Sequence, residues 1–148
     1  MTIRPPGDGD REDWRRLFRA YAAFYETPIS DARVDTVWGW IRDPAAKFWG
    51  DMALIGGRPV GLVHYQEMFR SLTGGTTCYL SDLYVDPEMR GHDIGLRLIG
   101  HVRRFAERSG YADVRLLTHE TNATARRLYD RIAPPSGFIA YRFAPGSE

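Results

Sequence analysis

A single cysteine and a single lysine occur among the 148 residues, and each scarcity excludes something. The lone thiol, Cys78, can close no internal disulfide and offers no metal-binding spacing. Lying just ahead of an apolar strand pattern, it reads as a buried, inert thiol. Because Lys47 is the only lysine, positive charge rests on arginine. The balance of 20 basic and 19 acidic residues leaves a formal net charge of +1. No global field therefore favours nucleic acid or a membrane surface. No apolar run reaches the roughly 18 residues of a membrane span, and no signal-peptide core appears, so the reading is a soluble cytoplasmic protein. Repeats, linkers and low-complexity segments are absent too. The chain is long enough to bury a proper core, and the expectation is a single domain over residues 1–148.

What is present alternates strands and helices. Thr2 to Pro5 reads as a short edge strand. A helix follows with Trp14, Leu17, Phe18, Tyr21 and Tyr25 at helical spacing, broken at Thr27-Pro28. Ser30 or Asp31 caps a second helix carrying Val34, Val37, Trp38 and Ile41. Lys47 to Ile55 and Arg58 to Phe69 read as a hairpin about Gly56-Gly57. Thr73-Gly74-Gly75 leads into a central strand ending at Pro87. Ile94, Leu98, Val102 and Phe105 then mark a helix, closed at Ser109-Gly110. Val114 to Thr118 is a buried strand, Thr121 and Asn122 start a last helix, and Gly137 to Phe143 returns as a final strand. This order predicts a mixed α/β sheet flanked by helices.

The chemistry concentrates between the central strand and the helix after it. Arg90-Gly91-His92-Asp93-Ile94-Gly95 opens that helix, whose first N–H groups have no internal partner and suit a phosphate. A P-loop would need a lysine followed by Ser or Thr, and a dinucleotide fingerprint would need Gly-x-Gly-x-x-Gly; neither is here.

The turn does resemble the acetyl-CoA turn of the GNAT N-acetyltransferase family, Gln/Arg-x-x-Gly-x-Gly/Ala, after Leu83-Tyr84-Val85-Asp86-Pro87. A second motif, Asn122-Ala-Thr-Ala125-Arg-Arg-Leu-Tyr129, followed by Gly137-Phe138, is similar to that family's "N-x-x-A-x-x-L-Y" helix and "GF" strand start. Together they span roughly Leu80 to Phe138. The resemblance implies a mostly antiparallel sheet splayed at its central strands, and acetyl-CoA as co-substrate with no metal. Leu83, Tyr84 and Val85 would pair with pantetheine, and Arg90, Gly91, His92, Asp93, Ile94 and Gly95 would hold the pyrophosphate. Asn122 and Ala125 would meet the pantetheine arm, and Arg131 the 3′-phosphate. Tyr129 would be the general acid. Read alone, Asn122 is an N-cap and Tyr129 a core aromatic.

The implied reaction is direct attack of a primary amine on the thioester, which needs a base for the ammonium proton. Relatives often carry Glu-Asp where this chain has Ser81-Asp82, so Asp82 is the first candidate; bracing a loop is its competing role. His64, Glu67, His119 and Glu120 are lesser candidates. Asp93 departs from the family's glycine and would repel the pyrophosphate. Tyr25, Glu26 and Trp38 are candidates for the acceptor side, where an aromatic wall with carboxylates suits an ammonium. The wording from Leu117 to Phe143 resembles the histone/polyamine (Hpa-type) branch, which acetylates small amines, amino acids or histone tails. Its members tend to dimerise, and Gly137 to Phe143 is a candidate interface strand. Two competing readings are a non-catalytic acyl-CoA sensor and a nucleic-acid binder using helix-face arginines, the latter disfavoured by the near-neutral charge.

Overall fold

Two long hairpin strands carry the architecture, and their turn is set by glycine. Gly56 and Gly57 take φ of +57° and +80°, which glycine adopts without a Cβ penalty. In the computed structural model, which describes residues 1–146, they join β2 (Phe48–Ile55) to β3 (Arg58–Arg70). The first unit, Met1–Leu117, also holds β1 (Thr2–Arg4), α1 (Arg11–Phe24), α2 (Asp31–Arg42), β4 (Gly75–Val85), α3 (Ile94–Arg108) and β5 (Val114–Leu116). The strands form one sheet in the order β1-β2-β3-β4-β5. Successive pairs are antiparallel except β4 and β5, which run parallel. The fold is thus the expected mixed, mostly antiparallel α/β sheet.

Each sheet face is covered by an amphipathic helix. α1 buries Trp14, Leu17, Phe18 and Ala22, and its cluster includes Val34 of α2 with Met52, Leu54, Leu62 and Tyr84. α3 buries Ile94, Leu98, Ile99, Val102 and Ala106 against the other face. Gly61 allows that approach: a Cβ there would stand 2.9 Å from the Tyr84 carbonyl oxygen and 3.4 Å from Leu98 Cδ1. Cys78 is buried as expected, and burial pushes its thiol up to about 11.

Two irregularities shape the strand edge. Opposite His64 lies Asp82, whereas opposite Tyr65 lies Leu80, so Ser81 is an extra residue in β4. Such a bulge breaks the pleat and re-aims the side chains beside it. In addition, β5 pairs with β4 only at Cys78, Tyr79 and Leu80. Past Leu80, β4 keeps its β3 partner and leaves β5.

The second unit, from Thr118 onward, holds α4 (Ala123–Ile132), capped by the Asn122 side chain, which accepts from Ala125 N at 3.2 Å. The strand expected from Gly137 to Phe143 does not form. Phe138, Ile139, Tyr141 and Phe143 are 75–87% exposed. Apolar, aromatic bulk gives these residues strand propensity, but a strand exists only through a ladder partner. Among the described residues the segment has none.

Candidate active site

The turn after β4 is built to leave backbone N–H groups open. Asp86, which follows β4, is buried; it receives the Arg16 guanidinium at 3.3 Å, while Arg16 Nη2 donates to the Pro59 carbonyl at 2.9 Å. Pro87 to Met89 makes one 3₁₀ turn. Arg90 Nε donates to the Val85 carbonyl at 3.2 Å, and its guanidinium lies over the Phe24 ring at 5.3 Å. His92 Nδ1 sits 3.2 Å from the Met89 carbonyl. Gly91 and Asp93 both take positive φ, +83° and +61°. Asp93 is the N-cap of α3, yet its side chain caps nothing. From Gly91 through Leu96, no backbone N–H has an acceptor among the described residues. A helix start in this condition suits a phosphate group. An added Cβ at Gly91 would meet nothing within 4 Å, so backbone conformation, not crowding, calls for glycine there. Ile94 is buried beneath α3, Tyr84 is buried in the core, and Leu83 and Val85 are half-buried. The stretch expected to pair with pantetheine, Leu83 to Val85, thus lies where β4 has no β5 partner.

A buried polar chain reaches the same strand. Trp14 of α1 donates its indole N–H to His64 Nε2 at 3.0 Å, and His64 Nδ1 lies 2.8 Å from Asp82 Oδ2. An indole nitrogen can only donate, so Nε2 is the acceptor and the ring proton sits on Nδ1, directed at the carboxylate. His64 is fully buried, whereas the Asp82 side chain is 22% exposed. Asp82 therefore stands at the mouth of a hydrogen-bonded chain whose root is in the core. Ser81 Oγ donates to the His64 carbonyl at 3.3 Å, holding the bulge closed. The Tyr79 hydroxyl is pushed up by burial and then by the charge of Asp82.

On the α1 side, an open cleft of ≈ 300 Å³ is lined by Phe18, Tyr21, Tyr25, Ile29 and Arg33, among others. Tyr25 lies in its wall, and Glu26 lines an adjoining cleft with Arg19 and Pro28. Trp38 is packed instead: it lies against Trp14 at 5.2 Å, with the Arg11 and Arg42 guanidinium groups 5.9 and 5.6 Å from its ring.

In the second unit, Asn122 caps α4, Tyr129 and Ala125 are half-buried, and Arg131 is exposed. His119 Nδ1 lies 2.6 Å from Thr121 Oγ1, and Glu67 accepts from the Tyr111 hydroxyl at 3.2 Å. The described residues contain no cluster of potential metal ligands and no helix long and apolar enough to cross a membrane. Sequence reasoning missed two features, the Trp14–His64 bond and the Ser81 bulge. Among the described residues, His64 is one of two His at β-strand or helix positions that a carboxylate holds; the other, His101 of α3, donates from Nε2 at 3.0 Å to the buried Asp51 carboxylate, which also accepts from the Tyr65 hydroxyl at 2.5 Å.

Three comparisons bear on the chain. The model of a family described as the acetyltransferase (GNAT) family matches residues 14–133. The D-amino-acid N-acetyltransferase HPA3 of Saccharomyces cerevisiae is 29% identical over 135 residues, covering 90% of this chain and 84% of that protein. A thialysine N-epsilon-acetyltransferase of Mus musculus is 32% identical over 89 residues, 57% of this chain and 52% of that one. A crystal structure of a probable acetyltransferase superposes with a TM-score of 0.85 at 22% identity, covering 100% of both chains, a likeness of fold.

Proposed function

The chain belongs to the GNAT acetyltransferase family, and from that premise we propose that it transfers the acetyl group of acetyl-CoA to a small primary amine, with Asp82 as the base. The observation that carries this reading is a conjunction along one stretch of chain: Asp82 of β4, held by His64, is followed nine residues later by the first of the open N–H groups, at Gly91. Relatives named for D-amino acids and thialysine favour an acceptor of that size, an amine on a small amino-acid-like molecule.

Acetyl-CoA supplies an activated carbonyl carbon. The N–H groups from Gly91 to Leu96 hold its diphosphate, helped by the positive end of the α3 dipole. Leu83 and Val85 offer backbone groups to the pantetheine amides, and the family resemblance assigns Asn122 and Ala125 to that arm and Arg131 to the 3′-phosphate. Asp82 accepts one proton from the acceptor ammonium and passes it to water, freeing the nitrogen lone pair to attack. As the carbon–nitrogen bond forms, the carbon–sulfur bond breaks. Tyr129 gives its phenolic proton to the departing sulfur and regains one from the new amide nitrogen. The balance is amide, free thiol and one proton released. Tyr25 and Glu26 line the acceptor side, with Tyr25 offering an aromatic wall to a cation.

The enzyme acts in the cytoplasm as a homodimer. Exposed Phe138, Ile139, Tyr141 and Phe143 support self-association, because an apolar run of this kind is costly to leave in water.

The test is thiol release from acetyl-CoA across a panel of D-amino acids, thialysine, polyamines and lysine peptides. A rise with at least one small amine is expected. Asp82→Asn should lower kcat by about 10²-fold or more, the usual worth of a positioned base. An unchanged rate in that variant would remove Asp82 from its role.

A further inference from the structure

We propose that Trp14 and His64 are positioning residues that fix the Asp82 carboxylate for proton transfer; the inference rests on the reading of Asp82 as the base. Three separate accommodations in the fold serve this polar chain. Ser81 bulges so that Asp82 falls opposite His64. Gly50 leaves the ring its space: a Cβ there would stand 3.1 Å from His64 Cδ2 and 2.8 Å from Ile41 Cδ1. Trp14 spends its one donor on Nε2.

The surroundings would otherwise suit a leucine. The rings of Phe18, Phe48 and Trp14 stand 5.1, 5.5 and 5.9 Å from the imidazole. Burying a polar ring among them is unfavourable unless both nitrogens are bonded, and both are. The result is a histidine with one tautomer. A flip to the Nε2–H form would set two donors face to face at Nε2 and leave the carboxylate without its N–H.

Direction follows from the donor order, indole to imidazole to carboxylate. A hydrolase triad uses a buried aspartate to orient a working histidine. Here the order is reversed: the histidine is buried, and the aspartate meets solvent. His64 cannot relay the proton that Asp82 receives, because its far nitrogen faces a group that cannot accept one. Among the described residues no donor reaches Asp82 Oδ1, so Oδ2 is spent on orientation and Oδ1 remains for the ammonium. Placement matters at this level, since a shift of about 1 Å can cost on the order of 10²-fold in rate.

The experiment compares Asp82→Asn, His64→Leu, His64→Asn and Trp14→Phe with wild type. Turnover uses acetyl-CoA and whichever panel amine releases thiol; ¹⁵N NMR of the histidine ring nitrogens runs alongside, and circular dichroism confirms folding. Wild type should show His64 as the Nδ1–H tautomer, and Trp14→Phe should admit the Nε2–H form. His64→Leu should lower kcat by about 10- to 100-fold with KM for acetyl-CoA within about twofold. His64→Asn, whose amide can still donate to the carboxylate, should recover most of that loss. An Nε2–H tautomer in wild type overturns the inference with no reference to turnover. So does His64→Leu activity at the wild-type level beside an inactive Asp82→Asn, or an Asn variant as poor as the Leu variant. Full activity in Asp82→Asn would instead overturn the underlying assignment of the base.

Discussion

Asp93 sits at a φ of +61°, where a residue with a Cβ is strained by about 1 kcal/mol relative to glycine. Its carboxylate, which caps nothing, would also repel a phosphate bound at this helix start, at a screened cost of about 1 kcal/mol. Asp93→Gly should therefore raise the melting temperature by roughly 3 °C and tighten coenzyme A binding about five- to tenfold. Calorimetry and a thermal melt check the two halves separately, and no change in either would mean a relaxed backbone and a carboxylate turned away. Cys78 gives a pH prediction. Burial lifts its thiol from 9.0 to about 11, and burial followed by the charge of Glu67 lifts Tyr111 from 10.0 to about 12. Both are acids that keep their protons longer when folded, so the unfolded chain loses them first as pH rises. Their contribution is complete below about pH 9 and is lost progressively towards pH 12. The melting temperature should fall over that window, and Cys78→Ala should soften its first part. A flat profile would contradict the burial argument. Cys78 was legible from its apolar neighbours. The role of His64 was not, because nothing local announces that an indole fifty positions earlier meets its far nitrogen.

At the scale of elements, two glycines should answer alanine with opposite signs. Gly61 stands 2.9 Å, as a hypothetical Cβ, from a backbone oxygen that cannot swing aside. Gly61→Ala should cost about 1–3 kcal/mol. Gly39 lies within α2 with nothing within 4 Å of its Cβ position, and there alanine should add about 0.5–1 kcal/mol. Denaturant midpoints measure both, and a shared sign would refute the packing account. The helices were readable because apolar spacing and caps coincide: Ser30 accepts from Arg33 N, as its position before α2 suggests. The hairpin was readable from paired glycines. The Ser81 bulge was not, since one extra residue in a strand leaves no compositional mark. The expected strand at Gly137 to Phe143 failed for the complementary reason: propensity is local, whereas a ladder needs a partner elsewhere.

For the whole molecule, the mixed α/β class follows from strand and helix order and the mostly antiparallel sheet from the family resemblance, and both are present. The association of chains is a property no single chain reveals. Light scattering after gel filtration should give the dimer mass, and Phe138→Ser with Phe143→Ser should shift it to monomer; a wild-type monomer at micromolar concentration would refute the dimer. The central claim is narrower, that a carboxylate braced from the core activates an amine beside an amide-lined phosphate turn. The most direct measurement is amine-dependent thiol release from acetyl-CoA by wild type and Asp82→Asn under identical conditions. The account predicts release that rises with amine in the wild type and falls by about two orders of magnitude in the variant. Coenzyme A bound tightly with no thiol released for any amine, or equal rates in the two proteins, would contradict it.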